Sequence, residues 1–168
     1  PMLTGCTATA MAQILNYYKS NSKGYDVLEY VNEGVGNKEI SVDFTKISYD
    51  WANMLDVYEE GSYTDAQADA VAQLMYEAGV SCKAKYDVTW SGTGVTSAAI
   101  PYVGFNRYYD YNCEIWEREY VPTKLWMTVI QEELTPGRPK LYSGYNGASG
   151  HAIVIDVIDA ENKEQNNW

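Results

Sequence analysis

Histidine occurs once in this 168-residue chain, and cysteine only three times. Any chemistry that needs imidazole must therefore use His151. A zinc site would have to draw on His151, scattered carboxylates and the widely separated Cys6, Cys82 and Cys113. No C-x-x-C pair is present, so there is no metal signature, and no metal or cofactor is expected. So sparse and odd a set of cysteines is not a disulfide framework either, and at least one thiol is expected to be free. Cations are few: 12 Lys+Arg stand against 23 Asp+Glu, a net charge of −11. That balance argues against nucleic acid as a partner, because a phosphate backbone rewards a basic surface. Long apolar runs are missing too; none approaches the roughly 18 residues of a membrane span, so no membrane partner is expected. No initiator methionine or signal segment precedes Pro1, and a polar run leads to Trp168. Both ends look cut, as in a processed chain or a fragment.

What is present is enough apolar material, 46% of residues, to fold one domain with a real core. Ala8, Met11, Ala12, Leu15 and Tyr18 form a stripe at helical spacing, which predicts a helix from Cys6 to about Ser20, with Thr4 as cap and Gly5 permitting a sharp turn into it. Residues 21–50 read as an irregular connection with short strands, followed by a short helix over Asp50–Leu55. Thr64 to Gln67 fits a capping box that opens a helix with Ala70, Val71, Leu74 and Ala78 inside and Gly79 as its stop. Val80 to Val95 reads as a strand running into a Gly/Ser/Thr loop. Pro122 opens a helix carrying Leu125, Trp126, Val129, Ile130 and Leu134. The period then changes from 3.6 to 2. Strands are predicted over Lys140–Ser143 and His151–Ile158, with a glycine-rich turn from Gly144 to Gly150. A helical half, about residues 1–135, thus precedes an antiparallel β half, about residues 136–168. The fold class is α+β.

Cys6 and His151 are the residues that can carry chemistry together. A thiolate is stabilised by the free N–H groups and dipole at a helix start, and a nearby imidazole completes its activation by taking the proton. The backbone N–H of Cys6 would supply half of an oxyanion hole. A cysteine in an apolar helix is more often a small buried hydrophobe, and a lone histidine opening a strand more often a bystander. Gly5 and Gly150, each immediately before one of the two, remove side chains where a substrate backbone would approach. On spacing alone both readings stay open.

At these residues the chain resembles the streptopain family of cysteine peptidases, which has a papain-like fold. The matching segments are T-G-C-T-A-T-A-M-A-Q-I around Cys6, Y-D-W-A-N-M from Tyr49, G-R-P-K-L-Y-S-G from Gly137 and G-H-A-I-V-I-D from Gly150. They follow the family's order along the whole of residues 1–168, which would make the chain one papain-like catalytic domain. The resemblance implies Cys6 as nucleophile and His151 as general base and acid. It implies Asn167 as the group orienting the imidazole and Trp168 as the cover of that bond, with Thr93, Tyr145 and Gly150 lining the substrate cleft. Asp156 is excluded as orienter: in a strand it points to the opposite face from His151, some 16 Å along the chain.

The same resemblance implies a secreted or cell-surface bacterial endopeptidase made as a zymogen. Its partners would be protein or peptide substrates and a propeptide or inhibitor domain. The family's oxyanion-hole glutamine lies upstream of its cysteine, and none of the five residues before Cys6 is Gln, so pieces at both ends are expected to be missing. Two rivals are a catalytically silent homologue acting as a binding or inhibitory module, and a Cys–His acyl transferase.

Overall fold

The structure, a computed structural model, describes residues 3–20, 24–34, 36–89, 91 and 99–156. Its centre is α1 (Cys6–Tyr18). Thr7, Ala8, Ala10, Met11, Ala12, Ile14 and Leu15 are all buried, so apolar burial runs around the helix and not along one stripe. A helix that is apolar on most sides must be covered on most sides. Here α2 (Asp65–Ser81) covers one flank and the hairpin of β3 (Lys140–Tyr145) and β4 (Gly150–Ile155) covers another. Tyr18, assigned to the apolar stripe, is 43% exposed beyond this cover.

Two further elements pack into the core. A hairpin of β1 (Val27–Asn32) and β2 (Lys38–Asp43) pairs antiparallel with Leu28 opposite Val42 and Tyr30 opposite Ile40. A short helix α3 (Ala99–Val103) runs directly into a π turn over Gly104–Tyr108. No element is predicted there from sequence, yet it delivers Phe105, Tyr108 and Tyr109 to the core. Phe44, fully buried after β2, packs on Tyr108 at 4.7 Å and edge-on to Tyr109 at 5.6 Å. The Tyr49–Met54 segment reaches the core through buried Met54, with Tyr49 and Trp51 packed against it, their rings tilted at 5.0 Å, and its turn over Trp51–Asn53 packs on α2.

Several local expectations are corrected. The cap of α1 is Gly5, at φ 89, ψ 151, not Thr4, and no side chain caps it. The capping box of α2 is present, with Gln67 N–H donating to Thr64 Oγ1 at 3.3 Å and Thr64 N–H to Gln67 Oε1 at 2.9 Å. However, Gly79 does not stop the helix, which runs on to Ser81; Lys83, at φ 53, makes the left-handed exit. The predicted strand from Val80 loses its first residues to that helix. Beyond it, the buried Asn32 side chain occupies the backbone of Tyr86, accepting its N–H at 2.9 Å and donating to its carbonyl at 3.0 Å. A side chain takes the bonds that a neighbouring strand would need, so only isolated bridging occurs there.

In α4 (Thr123–Leu134), opened by Pro122 as expected, only Leu134 is fully buried; Leu125 is 47% exposed. The β3–β4 turn is tighter than predicted, because Gly144 and Gly150 belong to the strands. Asn146 Oδ1 closes it by accepting from the N–H groups of Ala148 at 3.0 Å and Ser149 at 2.9 Å, and Gly147 adopts φ +90. Described β4 ends at Ile155, three residues before the predicted strand does. The fold class is α+β, with one antiparallel hairpin between α1 and α2 and the other after α4. Tyr17 on α1 ties that helix to the segment before β3 by donating to the carbonyl of Gly137 at 2.8 Å.

Candidate active site

Cys6 is the first residue of α1, half-buried, behind a glycine in a backbone region that side chains disfavour. No side chain caps the helix there. The Gly5 carbonyl is engaged instead, by the Thr9 N–H at 3.1 Å and Thr9 Oγ1 at 3.0 Å. The segment leading to Cys6 is pinned by Leu3 N–H to the Asp87 carbonyl at 3.2 Å. Asp87 in turn closes its own turn by accepting from Val88 N–H at 2.6 Å and Thr89 N–H at 3.2 Å, and these bonds hold its carboxyl below the usual range.

The other cysteines are occupied by the core. Cys82 is buried and donates to Met11 Sδ at 3.0 Å, and burial pushes its thiol up to about 12. Burial also raises Cys113, whose backbone N–H donates to Asn106 Oδ1 at 2.7 Å. All three thiols are free, and two of them are held neutral by desolvation. That leaves Cys6 as the thiol with a helix start behind it.

His151 is the second residue of β4, one later than the strand start, and is exposed. Its neighbour Ala152 is buried and Val154 packs on the core, whereas His151 and Ile153, which alternate with them, are exposed. Across the ladder His151 pairs with Gly144, and Gly150 pairs with Tyr145. The structure thus gathers His151, Tyr145 and Gly150 at the turn end of one hairpin, on the element that packs against the helix of Cys6. Tyr145 is 73% exposed and its hydroxyl donates to the Gly147 carbonyl at 2.9 Å. Thr93, Asn167 and Trp168 lie outside the described residues. Asp156 follows the end of β4 and is exposed. Among the described residues, no three His, Cys, Asp or Glu side chains gather as a metal site would require. Nor is any described helix long and apolar enough to cross a membrane.

Comparison with known proteins decides the family. Residues 1–168 match the family model described as peptidase C10. The chain belongs to the peptidase C10 family. Among C10 relatives, streptopain of Streptococcus pyogenes is 31% identical over 170 residues, which is 98% of this chain and 42% of streptopain. The thiol protease/hemagglutinin PrtT of Porphyromonas gingivalis is 27% identical over 165 residues, 98% of this chain and 19% of that protein. The active wild-type interpain A cysteine protease of Prevotella intermedia superposes with a TM-score of 0.81 at 37% identity, covering 92% of this chain and 65% of that one. A prointerpain A fragment of the same organism gives 0.79 at 38% identity, covering 92% of this chain and 49% of the fragment. The fold is therefore the papain-like α+β fold of these C10 cysteine proteases. The chain spans under half the length of the streptopain it matches.

Gly144 and Asn146 are site-end residues that the sequence leaves inside an undifferentiated turn. The Asn146-Gly147 pair, a strong two-residue turn signal, is the cue that could have placed that turn more tightly.

Proposed function

We propose that the protein is a cysteine endopeptidase in which Cys6 is the nucleophile and His151 the general base and acid. The supporting observation is the packing of the helix that begins at Cys6 against the hairpin that carries His151, in a chain of the C10 family. His151 takes the Cys6 proton, and the thiolate sulfur bonds to the carbonyl carbon of a peptide. The backbone N–H of Cys6 steadies the oxyanion, as an uncapped first-turn donor can. His151 then protonates the leaving nitrogen as the C–N bond breaks, which leaves a thioester on Cys6. Water, deprotonated by the same imidazole, attacks the thioester carbon and releases the acid and the thiol.

In this reading Asn167 orients the imidazole through a hydrogen bond and Trp168 shields that bond, while Thr93, Tyr145 and Gly150 line the cleft. The whole of 1–168 is one catalytic domain, with halves meeting near residue 135. Reducing conditions keep Cys6 competent, since oxidation of the thiol removes the nucleophile. The likeness to a prointerpain A fragment, the pro-form of a related protease, supports a pro-segment for the full protein, hence a zymogen. We place the full protein outside the bacterial cell, acting on protein or peptide substrates.

The test is active-site labelling of the full-length protein. A thiol-directed epoxide is expected to modify Cys6 at mildly acidic pH, and Cys6→Ala to abolish both labelling and digestion of unfolded protein. A protein that labels at Cys6 yet cleaves no peptide would be a silent homologue or an acyl transferase, and the endopeptidase reading would fail.

A further inference from the structure

Nothing among the described residues requires Gly144 to be a glycine. It lies inside β3, and its backbone is outside the left-handed region that favours glycine. A Cβ built on it would meet no atom of the described residues within 4 Å. Neither backbone conformation nor close packing excludes a side chain, and a glycine inside a strand weakens it. Gly79 and Gly147 differ, each in its own way: a Cβ on Gly79 would press into the Tyr86 hydroxyl, and Gly147 sits at φ +90.

What the missing side chain leaves, among the described residues, is open space at one particular place. Gly144 is the cross-strand partner of His151, on the same face of the hairpin. The next pair on that face is Tyr142 and Ile153, about 7 Å farther along the strands. Ile153 is 45% exposed, and Tyr142 meets Trp126 of α4 edge-on at 6.1 Å. The result is a shelf with Gly144 as its floor, the imidazole beside it, and apolar side chains leading away.

We propose that this shelf seats the residue immediately after the cleaved bond of a peptide substrate, that it takes a large apolar or aromatic side chain, and that Gly144 sets this preference by leaving room for it. The proposal rests on the endopeptidase reading above. His151 hands its proton to the leaving nitrogen, so the residue attached to that nitrogen lies against the face carrying the imidazole. Ile153, Tyr142 and Trp126 offer that residue apolar contact.

The experiment uses the full-length protein and peptides that differ only in the residue after the cleaved bond: Gly, Ala, Leu or Phe. The wild type is expected to cleave the Leu and Phe peptides with kcat/KM roughly tenfold or more above the Gly peptide, the scale of a filled apolar subsite. Gly144→Val is expected to erase that preference, bringing the Leu and Phe peptides to within about twofold of the Gly peptide in the same variant. The rate of Cys6 alkylation by iodoacetamide, too small to need the shelf, should not change. If Gly144→Val fails to fold, Gly144→Ala carries the same comparison with a partial loss of preference. Loss of cleavage by one common factor for every peptide overturns the proposal, because the space would then serve the protein's own chain. So does an intact preference in a folded Val or Ala variant. A wild type that alkylates at Cys6 but cleaves none of the peptides overturns the endopeptidase reading itself, an outcome visible before any variant is made.

Discussion

Asn32 is the residue on which the segment before the Asp87 turn hangs. It is 2% exposed at the end of β1, and its amide satisfies both the N–H and the carbonyl of Tyr86. A second N–H, that of Gly34, approaches its Oδ1 at 3.4 Å. Removing the amide strands two buried backbone groups, each at a cost of about 1–3 kcal/mol. Asn32→Ala is therefore expected to lower unfolding free energy by about 2–4 kcal/mol, read from urea titration at constant m-value. A loss under about 0.5 kcal/mol would show that water replaces the amide at no cost. The same clamp explains a gap in sequence legibility. Asn32 and Tyr86 lie in different elements, and no local pattern pairs an asparagine with a backbone so far along the chain. Cys6 and His151 are easier to find, because scarcity singles out the histidine and a glycine precedes each. Their chemistry is local; the clamp is not.

At the scale of elements, one symbol in the sequence stands for different physical causes. Gly79 near the end of an apolar helical pattern reads as a stop, yet α2 continues through it to Ser81. Its glycine identity answers a packing demand instead. A Cβ there would press into the Tyr86 hydroxyl and reach Ala8 Cβ at 3.2 Å, the point where α2 closes on α1. Tyr86 cannot step aside freely, since its hydroxyl donates to the Tyr76 carbonyl at 2.9 Å and its ring stacks on Tyr76 at 5.8 Å. Gly79→Ala sets a helix-propensity gain of about 1 kcal/mol against overpacking of about 1–3 kcal/mol. The expected result is a net loss of stability. Tyr86→Phe in the Gly79→Ala background should recover part of it by deleting the oxygen that the methyl meets. A double-mutant cycle by thermal unfolding measures the coupling, and additive effects would remove the close-packing explanation. The starts of α2 and α4 are legible for the same reason that Gly79 misleads: caps are short-range and packing is not. The α3–π segment has no such marker, and its place in the core comes from Phe105, Tyr108 and Tyr109, the last two meeting Phe44 across the chain.

Across the whole molecule, the buried members of its sixteen tyrosines are expected to set the limit of stability at high pH. Burial raises Tyr49, Tyr86 and Tyr109 well above the ordinary phenol range, and raises Tyr111 to about 12. Tyr49 and Tyr109 also share a hydroxyl contact at 3.3 Å, so ionising either would place a charge beside the other. The sign of the effect is fixed by linkage. A tyrosine raised in the folded state binds its proton more tightly there than in the unfolded chain, so its stabilisation is whole below the unfolded pKa of about 10. It is lost as pH rises from there through the folded pKa. Because these four rings come from three separate parts of the chain and all belong to or pack against one core, they should ionise together with global unfolding. An ultraviolet tyrosinate titration is expected to show exposed rings first, then a second step coinciding with loss of near-ultraviolet circular dichroism. A single step near pH ~10 with the fold intact would contradict the burial on which this rests. Tyr111 allows the edge to be moved. Its buried hydroxyl has no hydrogen-bond partner among the described residues, so Tyr111→Phe gives up no bond at neutral pH. The substitution also deletes one proton-linked penalty, and the alkaline midpoint should therefore move upward while neutral-pH stability holds or improves.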